Sequence, residues 1–215
     1  NAEETKVAFD GPEGLAALKL LDRMVKEGKM PNFGASATAT ADLQAFGAGK
    51  LGTMFRTTAQ VRQVSGMVGK NFELKTTTLP VIDPVKGRLP TGGAGMMMTA
   101  KDPARQAAAW EFMKFASSAE GTAIMARNTG YVPCNQLAID DAGYLGEFYR
   151  ANPLFQAATK QVHLMIPWYA FPGQNSVRVT QIMVDNLARI AEQKASPEEV
   201  LRDMSREVGR LIPRA

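Results

Sequence analysis

Segments with apolar residues at helical spacing alternate with short extended runs along this chain, an alternation that confines it to a mixed α/β architecture. Asp10-Gly11-Pro12-Glu13 announces the first helix, with Asp10 or Gly11 as cap and Pro12 in the turn where its missing N–H costs nothing. Ala17, Leu18, Leu21, Met24 and Val25 then form one apolar stripe until Gly28. A short helix from about Asp42 to Gly47 presents Leu43 and Phe46, and Leu51 to Phe55 reads as a strand. That strand ends in Arg56-Thr57-Thr58. Val61, Val64 and Val68 follow at helical spacing, which places Thr57 or Thr58 as an N-cap at a strand-to-helix junction.

Phe72 to Pro80 alternates as a strand would, Asp83 to Gly87 carries turn chemistry, and Met96-Met97-Met98 is predicted as a buried strand. Asp102-Pro103 caps a helix with Ala108, Phe112, Phe115 and Ala116 on one face. A further helix over Ala119 to Arg127 is stopped by Asn128-Thr129-Gly130, which sets Tyr131 just ahead of Pro133. Tyr144 to His163 reads as helical with a break at Asn152-Pro153, and Pro167 to Asn175 is an aromatic loop holding Trp168, Tyr169 and Phe171. A long helix spans about Ser176 to Gln193. The last begins at Ser196-Pro197-Glu198-Glu199, a capping box, and buries Leu201, Met204, Val208 and Leu211.

Composition removes several function classes. With 215 residues, 45% of them apolar and 21% charged, the chain has material for one large core or two modest ones. No apolar run approaches the roughly 20 residues that cross a bilayer. The start, NAEETKVAFDGPEG, has neither the basic flank nor the apolar core of a signal peptide, so the chain is not expected to carry one of its own. The net charge of +4 arises from 25 basic and 21 acidic side chains without a basic block, which argues against nucleic acid. Cys134 and His163 are the single residues of their kinds; the apolar neighbours of His163 predict a packed core histidine, and no Cys–His nucleophile is expected. Metal-binding spacings are absent, the adjacent carboxylates Asp140-Asp141 and Glu198-Glu199 read as solvated helix ends, and Gly92 to Gly95 lacks the spacing of a phosphate loop. No cofactor, metal site or catalytic residue is expected.

The ordered series LQAFGAGKLGTMF, LPVID, GGAGMMMTAKDPARQAAAWEFMKFASSAEG, NTGYVP, WYAFPGQN and ASPEEVLRDMSREVGRL resembles the extracellular solute-binding proteins of ABC importers. Within them it is similar to the sugar-binding group that includes maltose-binding protein, nearest its glycerol-3-phosphate-binding branch. The resemblance spans nearly the whole chain but matches the second half of such a protein. It implies a periplasmic-binding-protein-like fold of two α/β lobes. Residues 1–92 and 143–215 would then form most of the C-terminal lobe, and 93–142 would cross to the N-terminal lobe and return.

The same resemblance implies a set of ligand-binding residues. Tyr131 of the TGY-P segment would stack on a sugar or glycerol face and offer its hydroxyl; otherwise it is a tyrosine anchoring a turn. Arg56, Thr57 and Thr58 match a position where short hydroxyl side chains at a helix start meet the ligand, with plain capping as the rival. The glycerol-phosphate branch carries consecutive serines there, whereas here threonines follow an arginine. Gly92 and Gly93 match a crossover where backbone N–H groups approach a ligand. Trp168, Tyr169 and Phe171 would form an aromatic platform, at least one of them packing in the core. Arg178 matches approximately an arginine that meets phosphate.

The expected function is therefore capture of a small polar solute, a sugar or phosphorylated polyol, for delivery to a membrane permease. By the same resemblance the protein would be periplasmic or extracellular, exported by a signal peptide absent from this chain, and this part of it would be prone to self-association. A neutral oligosaccharide is the alternative ligand, and a hydrolase or transferase on an α/β fold the disfavoured alternative from another class.

Overall fold

In the computed structural model, which describes residues 4–32, 40–83 and 85–213, the chain divides into two units, Asn1–Ala41 with Tyr169–Ala215 and Asp42–Trp168. The helices are α1 (Pro12–Lys26), α2 (Ala41–Gly47), α3 (Val61–Val68), α4 (Pro103–Ala116), α5 (Ala119–Thr129), α6 (Gln136–Asp140), α7 (Glu147–Ala151), α8 (Ser176–Ala191) and α9 (Pro197–Gly209). Short strands β1 (Leu89–Thr91) and β2 (Met165–Pro167) pair in parallel. Single 3-10 turns stand at Thr58–Gln60, ahead of α3, and at Pro153–Phe155.

The first unit is held by α1, α8 and α9. Val179, Ile190 and Val200 are fully buried between them with Leu18, Leu201, Met204, Val208 and Ile212. Each such side chain removed from water contributes about 1.5–3 kcal/mol. Gly11 caps α1, while Asp10 accepts a hydrogen bond from the Ser205 hydroxyl of α9. The capping box at Ser196 and Glu199 forms in full. Asp203 accepts from Arg189 of α8 at 3.0 Å, across the helices, and from Arg206 of its own helix at 2.8 Å. The Arg189 bond holds its carboxyl below the usual carboxylate range.

The second unit carries separate small cores. Leu43 and Phe46 of α2 pack on Val64 and Val68 of α3, with Phe72 edge-on to Phe46 at 5.5 Å. Ala123 and Ala126 of α5 pack on Ala138, Leu145 and Tyr149. Buried Gln161 donates to the Leu79 carbonyl and accepts from the Leu79 N–H, both at 2.8 Å, so a side-chain amide takes the place a neighbouring strand would fill. Helix α4 forms as expected, capped by Asp102, yet buries none of its residues.

Several expectations are corrected. Leu51–Phe55 and Phe72–Pro80 form no strands, with bends at Gly52 and Phe72, because neither meets a ladder of backbone partners among the described residues. Met96–Met98 is no buried strand: all three side chains are exposed. His163 is exposed rather than packed in the core, since the segment from Tyr144 breaks into short turns that roll it outward. Ala17 lies on the exposed side of the α1 stripe and Leu211 falls beyond the end of α9. Both observed strands contain proline, at Pro90 and Pro167, which disguised them in the sequence.

Candidate functional site

In the second unit the chain enters α3 through an extended Thr57 whose hydroxyl accepts from the Ala59 N–H at 3.4 Å. Thr57 is thus the cap, and Thr58 opens the 3-10 turn. Arg56 lies 3.4 Å from Asp42 in the first turn of α2, each side chain about 29% exposed, so its charge is partly offset.

The α5 terminus brings Tyr131 to the same place. Gly130 sits at φ +111°, the left-handed conformation that ends the helix, and a Cβ there would stand 2.3 Å from the Thr58 carbonyl oxygen and 3.1 Å from the Val61 Cβ. The backbone of Gly130 therefore touches the Thr58 turn. Thr129 donates its hydroxyl proton to the Met125 carbonyl at 2.7 Å and accepts from the Tyr131 N–H at 3.0 Å, fixing where Tyr131 leaves the turn. The Tyr131 side chain is 40% exposed, and its hydroxyl has no partner among the described residues. Arg56, Thr57 and Thr58 thus lie on the stretch that enters α3, and the turn that leads into Tyr131 packs against that stretch at Thr58.

A further group stands at the end of the strand pair. Thr91 is in register with Pro167, so Gly92-Gly93 and Trp168 leave the carboxyl ends of parallel strands side by side. A Cβ at Gly92 or Gly93 would meet nothing within 4 Å, and Trp168 is 66% exposed. No packing among the described residues requires glycine here. Carboxyl ends of parallel strands are where ligands of open α/β sheets bind.

In the first unit Tyr169 is 54% exposed and stands edge-on to Phe171 at 5.4 Å. Phe171 packs on the helical core, as expected of one ring in this loop, and both line an apolar cavity of about 430 Å³ with Val7, Phe9 and Met183. Arg178 projects from the first turn of α8, exposed and without a partner among the described residues. No acidic residue shares that turn, and a cation at a helix N-terminus opposes the helix dipole, so a bound anion would relieve it.

Residues the sequence did not mark include Arg62, whose Nε and Nη2 donate to the Arg127 carbonyl at 3.2 and 2.6 Å. Its position beside Val61 in an amphipathic stretch gives no sign of that reach. Among the described residues no three His, Cys, Asp or Glu side chains converge as a metal site, Cys134 is exposed and free, and no helix is long and apolar enough to cross a membrane.

This arrangement can be set beside known proteins. A family model described as bacterial extracellular solute-binding protein matches residues 1–157, well over half of the chain. No match was found among curated protein sequences. Among solved structures, the chain superposes on UgpB from Mycobacterium tuberculosis in complex with glycerophosphocholine, with a TM-score of 0.75 and 22% identity, covering 94% of this chain and 49% of that one. It superposes equally on the cyclic alpha-maltosyl-1,6-maltose binding protein from Arthrobacter globiformis, with a TM-score of 0.76 and 20% identity over 98% of this chain and 51% of that one. Maltose-bound MalE3 of T. maritima follows, with a TM-score of 0.66 and 18% identity over 96% and 52%. The chain therefore has the α/β fold of periplasmic binding proteins and spans about half the length of these structures. The family is one of solute-binding proteins rather than enzymes. The chain belongs to the bacterial extracellular solute-binding protein family.

Proposed function

We propose that this chain is part of the binding component of an ABC importer, which captures a small polar solute outside the membrane and delivers it to a permease. The observation that supports the reading is the packing of Gly130 on Thr58, which brings the turn leading into Tyr131 against the turn that holds Thr57 and Thr58, in a chain of this family. An aromatic wall with a few placed polar groups is the usual make-up of a small-ligand site. In this reading residues 1–92 and 143–215 belong to the C-terminal lobe and 93–142 to the crossing segment.

The solute we favour is a glycerol-3-phosphate-like phosphorylated polyol or phosphodiester. Arg178, a lone cation on the first turn of α8, has the chemistry to meet its phosphate, and UgpB is a relative in fold in complex with glycerophosphocholine. A neutral oligosaccharide is the second reading. It is favoured by the offset of Arg56 by Asp42, by the exposed rings of Trp168 and Tyr169, and by the maltose-binding structures of the same fold.

Thermal unfolding of the full-length protein with candidate solutes distinguishes the readings. A ligand at 100 times its Kd stabilises the folded state by about 2.7 kcal/mol. Glycerol-3-phosphate or glycerophosphocholine is expected to raise the midpoint more than maltose does. The reverse ranking transfers the assignment to neutral sugars, and turnover of phosphatase or glycosidase substrates would contradict binding altogether.

A further inference from the structure

We propose that Arg62 is a positioning residue for solute binding, a clasp that holds the Tyr131 turn at one fixed spacing from the Thr57–Thr58 turn. The inference rests on the reading that those three residues meet the solute. Arg62 lies in the first turn of α3, just after the 3-10 turn that Thr57 caps. Its guanidinium donates twice to the Arg127 carbonyl in the last turn of α5 and lies over the Phe155 ring, 5.8 Å from its centre. Carbonyls in a final helical turn have no intrahelical partner, so a fork of donors from a neighbouring helix fixes that end in place. Arg127 in turn donates to the Tyr144 carbonyl.

Opposing restraints then define a single distance. Contact between Gly130 and the Thr58 carbonyl sets how closely the two turns approach, and the Arg62 bonds set how far apart they can drift. Gly130 is buried against the Thr58 turn, but Thr57, Arg62 and Tyr131 are all exposed, so packing seats the glycine and leaves the groups on either side of it to be held by the Arg62 bonds. A site made of a ring on one turn and hydroxyls on another loses affinity when their separation fluctuates, because binding must then order them.

The test uses the full-length protein and, as probe, whichever of glycerol-3-phosphate, glycerophosphocholine and maltose raises its unfolding midpoint most. Arg62→Met keeps the stem and removes the donors; Arg62→Lys restores one. Kd is read by calorimetry, and amide hydrogen exchange at Gly130 and Tyr131 is read without ligand. Arg62→Met is expected to weaken binding about tenfold or more and to speed exchange at both amides while the ligand-free midpoint stays near wild type, with Arg62→Lys recovering part of the affinity. Wild-type affinity in Arg62→Met while Tyr131→Ala binds weakly would overturn the clasp and leave the site reading intact. A fall in midpoint that accounts for the lost affinity, without rescue by lysine, would overturn it in favour of a structural role. Wild-type affinity in Tyr131→Ala, or no binding of any probe, would remove the site reading and the clasp with it.

Discussion

Gly130→Ala is expected to destabilise the full-length protein by about 3 kcal/mol or more, the sum of a strained backbone and a steric clash. The residue holds φ +111°, where a side chain other than hydrogen costs about 1–3 kcal/mol. The new methyl would also stand 2.3 Å from the Thr58 carbonyl oxygen, which is backbone and cannot swing aside as a flexible side chain would. Forcing such contacts apart typically costs a further 1–3 kcal/mol. Relief requires the α5 terminus and the Thr58 turn to separate, so solute binding should fall with stability. Gly92→Ala provides the contrast, since its methyl would meet nothing within 4 Å and should alter stability by less than about 0.5 kcal/mol. Denaturant midpoints of the two variants check the pair; equal midpoints would mean that the packing of Gly130 on Thr58 is not present in solution.

The isolated 215-residue chain is expected to bind its solute at least about a hundredfold more weakly than the full-length protein, a loss of about 2.7 kcal/mol. Ligand pockets usually enclose about 70–90% of a small ligand, and this chain spans only about half the length of the binding proteins it superposes on. Within the second unit, Met96, Met97 and Met98 with Trp110, Phe112 and Phe115 of α4 are exposed, and α4 buries no residue. Exposed apolar surface of this kind drives association. The isolated chain should therefore also be non-monomeric, or have residues 93–142 rearranged. Calorimetry and light scattering on the purified chain decide it: a monomer with full-length affinity would show that nothing beyond these residues is needed.

How far the sequence disclosed this structure depends on the range of the interaction involved. Helices written in local chemistry were legible, such as α9 with its Ser196–Glu199 box, α4 behind Asp102-Pro103, and α5 with its Gly130 stop. Extended segments were not, because a strand exists only where another backbone meets it. Leu51–Phe55 and Phe72–Pro80 have the pattern and lack the partner, while the proline-bearing Leu89–Thr91 and Met165–Pro167 have the partner without the pattern. The site divides in the same way. Tyr131, Thr57 and Thr58 were named through family resemblance, but their proximity depends on a contact between residues more than seventy positions apart, and Arg62 reaches Arg127 across 65. No local pattern encodes such a contact.

The most direct test is a calorimetric titration of full-length wild type and Tyr131→Ala with the solute that most raises the wild-type unfolding midpoint. Tyr131 is exposed, so its truncation should leave the ligand-free midpoint near wild type. Loss of a stacking ring and a hydroxyl contact should weaken binding about tenfold or more, at least about 1.4 kcal/mol. Equal affinity in the two proteins would contradict the assignment of a solute site to the place where the Tyr131 turn packs on the Thr58 turn.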